Sequence, residues 1–189
     1  MTSILEVEQL DTLSSNASST LTIGGTNTTT IAFGPNVTTT PSSLANTPAF
    51  SVKFTTNYTL TVDTSQIVQW SSIVFDTDNT FNTSTYKFTV PSGKAGKYFF
   101  HSQLYYTNGI ADGKRGDLIF DINGSQLTGT IPYTNNTVGV ATDIVVNGSM
   151  VRDLSVGDTV AVYSRQNDDS SAQLYAGDCF FYGYKLIGA

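Results

Sequence analysis

The stretch Lys87–Tyr106, KFTVPSGKAGKYFFHSQLYY, constrains the fold more than any other. It reads as strand, turn, strand. Phe88 and Val90 alternate with polar neighbours, the pattern of a half-buried strand. Pro91, Ser92, Gly93 and Gly96 interrupt it with turn chemistry, because proline lacks the ladder donor and glycine tolerates the required backbone angles. A longer strand over Tyr98–Tyr106 follows. Strand geometry puts Tyr98, Phe100, Leu104 and Tyr106 on one face and Phe99, His101, Gln103 and Tyr105 on the other. Both faces are rich in aromatic residues, so this sheet is expected to meet something on each side.

The rest of the chain extends that theme. Eleven Phe and ten Tyr against two Met favour an all-β protein. Only 13% of residues are charged and the net charge is −6, with no Lys/Arg cluster. That excludes a nucleic-acid footprint and disfavours an anionic membrane surface. No apolar run approaches the length a membrane helix needs, so no membrane insertion is expected. The single Cys179 cannot form an intrachain disulfide and lies in the apolar run CFFYGYKLI, as a structural thiol would. MTSILEVEQLDTL carries Glu6 and Glu8 without a basic flank and is not read as a signal peptide.

Residues 1–47 are a different material. They are rich in Thr, Ser and Gly and nearly free of aromatic residues, and Leu21-Thr22-Ile23-Gly24-Gly25 is echoed by Ile31-Ala32-Phe33-Gly34-Pro35. Such short alternating pieces suit an extended anchor or a β-shaft that gains order from neighbouring chains. From residue 48 onward the texture changes. Strands are expected over Phe50–Phe54, Tyr58–Val62, Gln69–Phe75, Tyr86–Val90, Tyr98–Tyr106, Leu118–Ile122, Thr142–Val146, Met150–Leu154, Thr159–Ser164 and Cys179–Ile187. Turns are expected at Asp76–Asn79, Asn108-Gly109, Asp112-Gly113, Asn123-Gly124, Asn147-Gly148 and Val156–Asp158. About ten strands at this spacing, with no helix, suit a β-sandwich or jelly roll.

Four ordered elements give residues 48–189 a family likeness. They are Phe50 with Phe75-Asp76; Phe88-Thr89-Val90-Pro91 followed by Gly96-Lys97-Tyr98-Phe99-Phe100; Leu154-Ser155-Val156-Gly157-Asp158-Thr159-Val160; and Phe181-Tyr182-Gly183-Tyr184-Lys185-Leu186. In this the chain resembles the C1q-like head domain, the jelly roll shared with tumour-necrosis-factor ligands. The resemblance implies a homotrimer. The collagen-like stalk of the animal family is absent, and residues 1–47 instead resemble shaft segments of phage and large-virus fibres. That implies a virion localisation, with residues 1–47 joining other capsid or fibre proteins.

Catalytic and metal chemistry find little support. No GxSxG or HExxH motif and no zinc-type cluster occurs, and the sole histidine, His101, sits on a strand. Neither a catalytic residue nor a cofactor is expected. Asp112, Asp117, Asp168, Asp169 and Asp178 are oxygen donors that calcium uses, but without EF-hand spacing they read as solvated loop carboxylates. Gly113–Asp117, GKRGD, is the one concentrated charge cluster. Arg115-Gly116-Asp117 reads as an exposed loop tip with a possible receptor contact. The last strand is apolar on both faces, which suits either a central strand or a subunit interface. The residues assigned to the core or the trimer interface are Phe50, Phe99, His101, Tyr105, Phe181, Tyr182, Gly183 and Tyr184. The expected function is a non-enzymatic structural or adhesion head contacting a host surface. The alternative is a carbohydrate-binding, lectin-like module acting on a host glycan.

Overall fold

A computed structural model describes residues 46–128, 131–168 and 172–186. The shaft expectation for residues 1–47 therefore lies outside the described residues, apart from positions 46 and 47, as do Asp169 and Ile187. The strands are β1 (Ala49–Lys53), β2 (Tyr58–Thr59), β3 (Gln66–Ile67), β4 (Ser72–Asp76), β5 (Phe81–Asn82), β6 (Lys87–Thr89) and β7 (Gly96–Ile110). They continue as β8 (Arg115–Ile122), β9 (Ser125–Gln126), β10 (Tyr133–Asn135), β11 (Thr142–Leu154), β12 (Thr159–Gln166), β13 (Gln173–Leu174) and β14 (Phe180–Lys185). No α-helix occurs among the described residues. The two-residue strands β3, β5, β9 and β13 are too short for any hydrophobic period to reveal, so more strands occur than the ten or so expected, while β2 falls within the expected Tyr58–Val62.

All pairings are antiparallel and form two sheets. One runs β2-β13-β7-β14-β1-β4, with β11 also paired to β7. The other runs β10-β8-β12-β6-β5, with β3 on β12 and β9 on β8. The core between them is aromatic. Phe50 stacks on Phe88 at 5.1 Å and meets Phe181 edge-on at 5.0 Å, while Phe88 meets Phe100 at 5.4 Å. Trp70 is fully buried against Phe54 and Phe181, but it precedes β4 instead of belonging to it. Tyr106 is also fully buried. Its hydroxyl shares a 2.6 Å hydrogen bond with Ser164 Oγ and lies 2.7 Å from the Asp117 carbonyl, so the polar tip is satisfied inside the sandwich.

The Asx-Gly pairs part company. Asn123-Gly124 forms the expected two-residue turn between β8 and β9, with φ of 55° and 83°. Asn108-Gly109 also takes positive φ, but inside β7. There it makes a bulge, and the Asp143 carboxylate accepts from Tyr105 Oη at 2.9 Å and from the Gly109 amide at 3.2 Å. The chain reverses later, at Ala111–Lys114. Asn147-Gly148 is no turn at all, and β11 runs straight through it. A Cβ on Gly148 would lie 2.9 Å from Leu118 Cδ2 and 3.0 Å from Pro132 Cγ, so this glycine serves close packing.

Candidate interaction face

The strict alternation of β7 and β14 splits the expected site residues in two. Phe50, Phe181 and Gly183 point into the sandwich, and Phe50 and Phe181 are at most 1% exposed. An added Cβ on Gly183 would sit 2.4 Å from Phe100 Cδ1 and 3.0 Å from Phe50 Cε1. Phe99, His101, Tyr105, Tyr182 and Tyr184 alternate with the buried residues and are half-buried on the outward face.

On that face the register brings the rings together. Tyr184 pairs with Phe99 and Tyr182 with His101 across β14 and β7. Ring centroids lie 5.4 Å apart for Phe99–Tyr184, 5.3 Å for His101–Tyr182 and 5.7 Å for His101–Phe180. Phe180 and Tyr182 stack at 5.9 Å. Tyr105 packs on Tyr175 at 5.5 Å. From β11, Val151 lies opposite Phe99 and Val145 opposite Tyr105, and the two valines are 48% and 37% exposed. Phe75 of edge strand β4 lies opposite Ser51 and is 49% exposed. These last three escaped the sequence reading. The supposed turn at Asn147-Gly148 hid the alternation of β11, and a bulge between β1 and β4 leaves Val74 unpaired and so breaks the period there.

The polar groups of the face are few and engaged. His101 Nδ1 lies 2.7 Å from Ser149 Oγ. Burial lowers the imidazole pKa below its usual value. Gln103 Nε2 donates to the Asp178 carbonyl at 2.8 Å. The hydrogen bond to Asp143, then desolvation, raise the Tyr105 pKa. A Ser–His contact also occurs in nucleophilic catalysis, but there a third group orients the base. Here the imidazole is flanked by Phe180 and Tyr182, and its one hydrogen bond among the described residues is to Ser149.

The other candidates take different places. Arg115, Gly116 and Asp117 are not a loop tip but the first residues of β8. Asp117 is 3% exposed and forms an ion pair with Arg115 Nε at 3.0 Å, and a Cβ on Gly116 would lie 2.4 Å from the Tyr106 ring. The tripeptide is thus folded into a strand with its carboxylate already engaged, and Asp117 is no solvated loop carboxylate. Asp112 and Asp168 accept backbone amides of Gly139 and Ala111 at 3.0 and 2.8 Å. No cluster of three or more His, Cys, Asp or Glu suited to a metal occurs among the described residues. Cys179 is 2% exposed, accepts from the Tyr105 amide at 3.1 Å, and has its thiol pKa pushed up to about 12 by burial. An open cleft of about 500 Å³ near Asn79, Phe81, Thr83 and Pro91 is lined without any carboxylate, imidazole, thiol or amine.

Comparison with known structures agrees with this fold. The chain is similar to the globular domain of zebrafish complement 1qA protein at 22% identity and a TM-score of 0.57, covering 74% of this chain and 96% of that one. It is similar to murine APRIL at 15% identity and a TM-score of 0.51, covering 73% and 98%. It is also similar to the Eiger TNF of S. frugiperda at 15% identity and a TM-score of 0.51, covering 75% and 93%. No curated protein matches at the level of sequence. At these identities the neighbours establish the jelly-roll fold, and the match of residues 49–186 to the C1q domain establishes more: the chain belongs to the C1q domain family.

Proposed function

We propose that this chain is a non-enzymatic, homotrimeric head module whose subunits meet through the outward face of the β7 sheet. The observation that carries this reading is the run of rings Phe99, His101, Phe180, Tyr182 and Tyr184, half-exposed on a face with no charge at its centre. A solvated antiparallel sheet face normally carries polar residues, whereas interface cores enrich aromatic residues and exclude charge. Membership in the C1q domain family favours three-fold closure. A ring of three uses two different patches on each subunit, which suits a face that spreads from Val151 across to Phe75.

We further propose that residues 1–47 join the head to a larger particle, as part of a virion fibre or capsid-associated appendage that contacts a host surface. The support is the abrupt change from Thr/Ser/Gly-rich to aromatic sequence near Pro48. Sedimentation at micromolar concentration tests the head-borne trimer, with the full chain and residues 48–189 both expected as trimers. A stable monomer from either overturns it. The shortened chain should also fail to co-purify with the particle that carries the full one.

A further inference from the structure

This inference rests on the trimer reading above and concerns its regulation. We propose that His101 is an acid-release switch, such that protonation of its imidazole in the aromatic face separates the three subunits.

The chain has one histidine, and it sits in the middle of the face that assembly would cover. Each element packed around it presents an uncharged group. On β7 its same-face neighbours are Phe99 and Gln103; on β14 they are Phe180 and Tyr182; on β11, Ser149 lies directly opposite. Beyond β14, Ser51 of β1 pairs with Tyr182. Lys53 follows Ser51 on the outward side of β1, a further strand away from His101, and the other charged residues of this face lie toward its ends. Lys97 and Asp153 face each other toward the start of β7, four residues and so roughly 13 Å from His101. Asp143, at the far end, already accepts from Tyr105 Oη and the Gly109 amide. Asp178 neighbours Gln103 through its backbone carbonyl.

An imidazolium at this position therefore has no carboxylate partner among the described residues. Ser149 Oγ can accept from a protonated Nδ1, and the faces of Phe180 and Tyr182 soften the charge, but neither replaces water around Nε2 once the face is covered. The neutral ring is the form that assembly tolerates. Burial lowers the His101 pKa in the single chain, and a partner subunit lowers it further. The sign follows. Assembly is fully stable above the pKa of the free chain and weakens as pH falls toward that of the trimer. Three chains take up as many as three protons on separating, so the three-chain dissociation constant rises by up to about a thousandfold per pH unit in that window. Such a head stays closed at neutral pH and opens in an acidic compartment.

The test compares the full chain with His101→Gln and His101→Lys between pH 8 and pH 5.5. Sedimentation reads assembly, near-UV circular dichroism reads the fold, and the C2 proton resonance of the sole imidazole reads its titration. The parent should be trimeric at pH 8 and dissociate as a folded chain near pH 5.5. His101→Gln should stay trimeric throughout, and His101→Lys should be dissociated at pH 8. A parent that is trimeric at both pH values overturns the switch and leaves the trimer standing. Equal acid dissociation of parent and His101→Gln, or dissociation only with loss of the fold, also overturns it. A parent that is monomeric at pH 8 removes the trimer and the switch together.

Discussion

The two outer faces of this sandwich solve the same problem in opposite ways. Over β8 and β12 the charged outward groups are matched within the chain. Arg115 grips Asp117 and lies 5.2 Å over the Tyr133 ring, while Arg165 reaches Asp63 at 3.1 Å. β8 is buried on both sides, inward through Leu118 and Phe120 and outward through Asp117, Ile119 and Asp121. Over β7 and β14 the outward groups are rings, half-covered and uncharged at the centre. One face is finished by its own chain, and on the proposed reading the other is completed by a partner subunit. Charge added to the second should break assembly and spare the fold, whereas charge removed from the first should strain the fold and spare assembly.

The sharpest break is Tyr182→Asp. It sets a carboxylate beside His101 and Phe180 in the middle of the aromatic face. Central aromatic residues of an interface are commonly worth about 2 kcal/mol or more. With three interfaces the three-chain dissociation constant should rise roughly 10,000-fold, read by sedimentation at pH 8, while near-UV circular dichroism stays that of a folded chain. A trimer of unchanged affinity would show that subunits meet elsewhere. The adjacent residue should behave in the opposite way. Gly183→Leu pushes side-chain atoms into Phe100 and Phe50, an overpacking that costs about 1–3 kcal/mol or more. Denaturant unfolding should show that loss in stability. If the variant unfolds like the parent, Phe100 and Phe50 have room to move and the inward face is looser than the distances imply.

Much of this division is legible in the sequence, because strand period alone separates Phe181 and Gly183 from Tyr182 and Tyr184. The aromatic content of both parities in β7 and β14 then marks a sheet with rings on both faces. What the sequence hides is set by long-range register. Asn147-Gly148 has the composition of a turn, yet Leu118 and Pro132 press against it from another strand, and no local signal encodes that approach. Asn108-Gly109 adopts the left-handed angles its composition suggests, but the partner strand and Asp143 turn them into a bulge. Phe75 is apolar by sequence and half-exposed by position, because β4 is an edge strand with a shifted register. Arg115-Gly116-Asp117 follows a Gly-Lys turn and so looks like its tip. Pairing with β10 and β12 draws it into β8.

The mildest test is on the finished face. Arg115→Ala leaves the Asp117 carboxylate, 3% exposed, without its nearest cation, while Arg165 still lies opposite on β12. A buried polar group that loses its partner costs about 1–3 kcal/mol, and the exposure of Arg115 and the remaining Arg165 favour the lower end. The pH dependence discriminates between lost charge pairing and lost packing. Burial raises the Asp117 pKa above its usual value, and Arg115 and then Arg165 oppose that rise. A carboxyl with a raised folded pKa contributes stability that is present below its unfolded pKa and lost as pH rises through the folded one. Removing Arg115 raises that pKa further. The stability gap between parent and variant should therefore be widest above it, near pH 8, and should close as pH falls toward 4. Adding Asp117→Asn to the variant should flatten the dependence, since the amide does not ionise. Sedimentation should report the same assembly for both proteins at pH 8. A gap that is constant with pH would assign the Arg115 contribution to its packing on Tyr133, and a loss of trimer would show that the two outer faces are not independent.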